Sequence, residues 1–249
     1  LPQSLGTPRG AILLLHDINE HIDSAAVGIL RRELPAHGWN TLAIKIIRFA
    51  DENEPASPEV EETDPPTEDV TQPDTTEPEQ TEMAEEASTE EVATEEPTDN
   101  TSVTESPAGV STTAERIDAA LVKLQQEGHE RIIIIGQGAG GELALTTVKT
   151  SAVPLAALVM INTDVLSEGV SIEDISVPIL EIVGSRQKDS VKEAVAKRQV
   201  QMKTAQNPLY AVRPIIGADH YFNSTSQQLV NQIHGWLYKQ FFADEEAAR

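Results

Sequence analysis

The sequence contains no cysteine, which excludes disulfides, thiolate nucleophiles and cysteine-held metal centres. That fits the cytoplasm, and equally an exported protein built without disulfides. Aromatic residues are scarce, at 4% of the chain. The two tryptophans, Trp39 and Trp236, each follow a glycine and read as packing residues, not ligand platforms. No apolar run approaches the length of a membrane span. Basic residues are also few, 18 against 41 acids, but the imbalance is local. Residues 51–112 hold 21 of the acids and no Lys or Arg, so the remainder is close to neutral. With no basic excess to meet phosphates, nucleic-acid binding is not expected.

What is present suffices for one α/β domain with a sizeable core, spanning residues 1–249. The acidic stretch interrupts it as an insertion of Glu, Thr, Pro, Ser and Asp without an aromatic residue. Such a segment buries too little apolar surface to offset the entropy of ordering, so disorder is expected. It reads as a solvated spacer, with contact to cationic partners or divalent ions as the alternative. The chain opens at Leu1 almost directly into an apolar strand, so an upstream segment is expected to have been removed or left out, a signal peptide being one candidate.

Elsewhere strand and helix signals alternate. Ala11–Leu15 and Thr41–Ile47 read as strands, separated by a helix with Ser24 as cap, Val27, Leu30 and Leu34 on its apolar face, and Gly38 as its stop. Thr112 and Glu115 have capping-box spacing ahead of the stripe Ile117, Ala120, Leu121 and Leu124. Arg131–Ile135 carries four consecutive isoleucines, the signature of a strand buried on both faces. Further strands are predicted near Ala157–Ile161, Val177–Val183 and Tyr210–Ile216. A last helix is predicted behind Ser226. The alternation predicts a mainly parallel sheet with helices on both faces and a site at the carboxyl ends of the strands.

The stretch RIIIIGQGAGG, Arg131 to Gly141, is a strand, a tight glycine turn and a helix start. Two motifs compete for it. In the nucleophile elbow G-x-S-x-G, Gly136 and Gly140 hold the flanking positions and Gly138 stands where serine belongs. Glycine has no side chain with which to attack a carbonyl. In the dinucleotide fingerprint G-x-G-x-x-G, Gly136, Gly138 and Gly141 match, with Asp164 as a ribose-binding acid. That fingerprint usually follows the first strand of its domain, whereas two strand–helix units precede this turn. A bare packing turn is the third reading.

The segments GAILLLHDINEHIDSAAVGILRRELPAHGWNTLAI, IIIIGQGAGG, VPILEIVGSRQKDSVKEAVAKRQ and GADHYFNSTSQQLVNQIHGWL, in this order and spacing, resemble an uncharacterised bacterial family, domain of unknown function 3530. The likeness covers roughly residues 8–47 and 113–240. It implies an α/β-hydrolase fold, a variable loop at the acidic segment, and a periplasmic or secreted home. In the wider superfamily two further strands usually precede the first one here, so an edge of the sheet is expected to be missing. Of the catalytic triad, the resemblance puts the base at His220. Gln187 takes the usual acid position, with Asp189 two residues late and Asp164 as an alternative acid. The oxyanion hole would use the N–H of Ala139, beside Gln137, and one from the turn after the first strand. That turn usually reads His-Gly but reads His16-Asp17 here, and an inward Asp17 would oppose an oxyanion.

His16, Asp17, Glu20 and His21 cluster on that turn, but without a further imidazole no metal is expected, and no cofactor. The resulting expectation is a non-catalytic binding or scaffold module for a small molecule or protein, with Gln137, Ala139, His16 and Asp17 at its site. A hydrolase with a non-standard nucleophile, or a water activated by His220 and Asp164, is the first alternative. A nucleotide-binding domain is the second.

Overall fold

The computed structural model describes residues 1–46 and 112–243, apart from Leu5, Thr7 and Asn19. The acidic segment expected to be disordered lies outside the described residues, except Thr112. That residue belongs to the folded part: its hydroxyl caps a helix from Glu115 N–H, while Glu115 returns a bond to its backbone.

Six strands form one parallel sheet, β1 (Gly10–Leu15), β2 (Trp39–Ile44), β3 (Ile132–Gln137), β4 (Ala157–Ile161), β5 (Ile179–Gly184) and β6 (Tyr210–Ile215), in the order β2-β1-β3-β4-β5-β6. Among the described residues five α-helices accompany the sheet: α1 (Ala25–Glu33), α2 (Thr113–Gln126), α3 (Ala139–Thr150), α4 (Asp189–Thr204) and, after the last strand, α5 (Ser226–Phe241). Ser226 opens α5 and does not cap it; Thr225 holds the cap position.

The isoleucine run becomes a central strand because both of its faces are covered. Ile133 and Ile135 join Ile12, Leu14, Val159 and Ile182 under α1 and α5. Ile132 and Ile134 join Leu13, Leu15, Leu158 and Met160 under α2 and α3. Each buried aliphatic side chain contributes about 1.5–3 kcal/mol, which is why this pattern outweighs local propensity. Trp39 and Trp236 belong to the first of these cores. Among the described residues, no helix is long and apolar enough to cross a membrane.

The strand order reverses direction between β1 and β3, and their carboxyl ends define the crevice where α/β sheets place ligands. In the ladder Leu15 stands opposite Gly136. Two residues further along each chain come Asp17 and Gly138, so the register itself brings these two positions together.

Candidate functional site

Gly138 begins the turn from β3 into α3 with φ 55° and ψ −122°. Only glycine adopts this region without strain, and an elbow nucleophile must be forced into it. The flanking glycines are required by close backbone approach: a Cβ on Gly140 would lie 2.5 Å from the carbonyl oxygens of both Leu15 and His16, and one on Gly136 would overlap the Gly140 carbonyl. The turn therefore has the close approaches and backbone conformation that a nucleophile elbow requires.

The place a nucleophile's side chain would take is filled by another residue. A Cβ on Gly138 would lie within 2.6 Å of all three carboxylate atoms of Asp17. Asp17 is held there by backbone donors, its Oδ1 accepting from Ile18 N–H at 2.7 Å and Ala139 N–H at 3.1 Å. The Ala139 N–H is the donor expected to serve an oxyanion, and it sits at the amino end of α3, where a negative charge is favoured. The same carboxylate occupies one of the α3 N–H groups that a dinucleotide pyrophosphate would use.

Across from Asp17 stands His220, on the loop between β6 and α5. Its Nε2 lies 2.7 Å from Glu20 Oε1 and 3.9 Å from Asp17 Oδ2. Because a carboxylate only accepts, Nε2 carries the proton and donates to Glu20. The hydrogen bond to Glu20 raises the His220 pKa above the ordinary imidazole value, outweighing the opposing effect of burial. Glu20 was read in the sequence as part of a metal-like cluster, and its pairing with His220, 200 residues away in the chain, had no local signal. Gln137 sits behind this pair, wholly buried. Its Oε1 accepts from Ala26 N–H at 3.0 Å and its Nε2 donates to the His220 carbonyl at 3.0 Å, tying the histidine loop to α1.

The rest of the β1 turn disperses. His16 is buried, with Nε2 accepting from Ile46 N–H at 2.9 Å and Nδ1 therefore donating to the Asp17 carbonyl at 2.6 Å. Burial lowers its pKa, consistent with a neutral ring that joins the ends of β1 and β2. His21 is exposed and accepts from Asp23 N–H. Among the described residues no group of three or more His, Asp and Glu side chains is arranged to hold a metal ion.

A cleft of about 310 Å³ opens over the elbow, lined by Asp17, Gly138 and Ala139 on one side, Asn162, Thr163, Asp164 and Gln187 on the other, and also by Glu142, Lys188 and His220. Asp164 does not meet His220; its carboxylate takes bonds from Val165 N–H and the Ser190 hydroxyl. Asp189 points into solvent beside Lys192, which lowers its pKa. Gln187, at the usual acid position, is buried in the cleft wall.

The β4 side rests on a buried ion pair. Arg198 Nε and Nη2 reach Glu181 Oε1 at 2.9 and 2.5 Å, while its Nη1 and Nη2 also donate to the carbonyls of Asp164 and Thr163. The Tyr210 hydroxyl completes the cluster on Glu181. Glu181 is fully buried, and that desolvation raises its pKa despite Arg198.

The sheet order, the tight glycine turn and the cleft at the strand ends define an α/β-hydrolase fold. The chain belongs to a family of proteins of unknown function, DUF3530, which matches residues 1–239. Among solved structures it resembles a protein of unknown function from Agrobacterium tumefaciens at 14% identity, with TM-score 0.59 over 96% of this chain and 88% of that one. It also resembles MGS-MChE2, an alpha/beta hydrolase enzyme from a lagoon-sediment metagenome, at 14% identity, TM-score 0.57, over 97% and 95% of the two chains. Est1E from Butyrivibrio proteoclasticus is similar at 11% identity, TM-score 0.56, over 94% and 88%. At such identities the likeness carries the fold alone. No curated protein matches the chain.

Proposed function

We propose that this protein is a binding module on a hydrolase fold and does not operate by serine-hydrolase chemistry. One observation carries the reading: the Asp17 carboxylate lies where the nucleophile's side chain would project, bonded to the Ala139 N–H that would otherwise receive an oxyanion. A carboxylate in that position repels a developing negative charge. The histidine supports the same reading. A base needs its lone pair toward the reacting proton, whereas His220 Nε2 donates to Glu20.

A second reading, hydrolysis through a carboxylate, is favoured by the 3.9 Å between Asp17 Oδ2 and His220 Nε2. Asp17 would then serve as the non-standard nucleophile. A fluorophosphonate probe and a panel of short-chain esters separate the two. The binding reading expects no labelling and no turnover above that of His220→Ala. Turnover by the unmodified protein that disappears in both Asp17→Asn and His220→Ala would replace it with the hydrolase reading.

A further inference from the structure

Among the described residues eight large apolar side chains stand exposed, and they are not spread evenly. Ile18, Val165, Ile216 and Tyr221 lie on the loops that follow β1, β4 and β6, at the carboxyl ends of the sheet. Each borders the cleft. Ile18 follows Asp17 in the chain, and Val165 is itself part of the lining. Tyr221 meets the ring of His220 edge-on, with centroids 5.2 Å apart. Ile216 precedes Gly217, whose N–H donates to Ser185 Oγ at 2.8 Å, at the head of the turn that carries Gln187 and Lys188. Val165 and Ile216 are 71% and 74% exposed, so the fold covers little of either. The other four, Leu1, Val122, Val200 and Leu209, stand apart from one another at the amino end, on α2, on α4 and ahead of β6. Single exposed apolar residues need no explanation, but several around one opening mark a surface that another molecule covers.

The charge inside the mouth decides what kind of molecule that is. Asp17, Glu142 and Asp164 line it against Lys188 and His220, and any charge on His220 is met by Glu20. Among the described residues Glu142 and Asp164 are held by uncharged donors only, the N–H groups of Ser167 and Val165 and the Ser190 hydroxyl. An anion, a nucleic acid or an anionic membrane would meet these uncompensated carboxylates. A small amine would suit them, but a molecule confined to about 310 Å³ leaves the apolar rim uncovered. A protein segment that presents a Lys or Arg between apolar side chains answers both features. Its cation enters the mouth, and its neighbours cover the rim.

Resting on the binding reading above, we propose that the mouth of the cleft is a docking surface for a protein segment with a basic side chain flanked by apolar ones, the base beside Glu142 and Asp164 and the apolar residues on Ile18, Val165, Ile216 and Tyr221. Fluorescence anisotropy with three pools of short labelled peptides tests it at about 0.15 M salt, where long-range attraction is screened. The first pool has Lys at its centre between residues drawn from Leu, Val and Phe. The second has Glu in place of the Lys, and the third has Lys between Ser and Gly. The acids of residues 51–112 attract the first and third pools alike, so the comparison of those two isolates the rim. The first pool should bind the full chain saturably, about tenfold or more tighter than either of the others. Val165→Ser with Ile216→Ser, and separately Glu142→Gln with Asp164→Asn, should each weaken it by about tenfold. All four positions are exposed or half-buried, so these variants keep the fold. Equal binding of the first and third pools overturns the role of the rim, and equal binding of the first and second overturns that of the carboxylates. No saturable binding of the first pool overturns the partner class. A dimer in analytical ultracentrifugation that Val165→Ser with Ile216→Ser dissociates would give the surface to a second copy of the chain instead. Ester turnover dependent on His220 would sink the binding reading itself, whatever the peptides do.

Discussion

On the elbow side of the cleft, Asp17 Oδ1 is bonded to the N–H groups of Ile18 and Ala139, Gln137 to Ala26 and His220, and His220 to Glu20. On the β4–β5 side, Asn162, Thr163 and Gln187 each keep a buried side-chain atom with no hydrogen-bond partner among the described residues, beside a buried ion pair. The half of the site where hydrolase chemistry would occur has thus been closed upon itself. The other half keeps polar groups unmatched and is, by comparison, the open side. Binding and catalysis are separable properties of one cleft, because only groups aimed at developing charge accelerate a reaction.

The largest effect is expected from undermining the open side. Arg198→Met removes the guanidinium that holds the Thr163 and Asp164 carbonyls and leaves Glu181 buried without its counter-ion. Breaking such a pair from one side costs about 3–5 kcal/mol. Urea denaturation should show a loss of that size, and Arg198→Met with Glu181→Leu should recover part of it. A loss below about 1 kcal/mol, within the range of exposed pairs, would mean that the pair does not support this wall.

A smaller effect is expected at the closed side, where Asp17 and Gly138 form a coupled exchange. Gly138→Ser alone meets the Asp17 carboxylate and a strained φ, costing about 1–3 kcal/mol. In an Asp17→Gly background the space is free and only the backbone strain remains, so the cost should fall. The double-mutant cycle should show coupling of about 0.5 kcal/mol or more. Additive costs would show that the carboxylate does not stand in the nucleophile's space. The same double variant is the fair test for restoring phosphonate labelling, since it frees the Ala139 N–H as well.

Much of this frame was legible in the sequence. The isoleucine run, the glycine turn and the stripe Ile117, Ala120, Leu121 and Leu124 report burial directly, because periodicity and small residues are local signals. The direction of Asp17 was legible only as a possibility, since it depends on the β1–β3 register. The partners of His220 were not legible, because Glu20 reaches it across the strand order and not along the chain. One missed signal was available. Glu181 interrupts the apolar strand ILEIVG, and a charge there demands a buried counter-charge, though nothing in the sequence singles out Arg198 as its source.

The smallest effect, and the sharpest test of how the closed side is held, is its dependence on pH. The His220 pKa is raised by Glu20, so the folded state binds the proton more tightly than the unfolded chain does. The stability this contributes is fully present below the unfolded value of about 6.5 and is lost as pH rises through the folded pKa. His234, stacked on His37 beside Trp39, behaves oppositely. Burial lowers its pKa to about 4, so its contribution is present above 6.5 and is lost as pH falls from 6.5 toward 4. Burial lowers His16 too, adding to the loss in acid. The net stability of the protein therefore mixes opposing trends, and the His220 term must be isolated by difference. Glu20→Gln keeps a hydrogen-bond acceptor but removes the charge. Measured by urea denaturation against the unmodified protein, it should be less stable near pH 6, with the gap narrowing as pH rises above the folded His220 pKa. A gap that stays constant across this range would show that Glu20 holds the loop by shape and hydrogen bonding alone, and that the elbow side is closed without any contribution from charge.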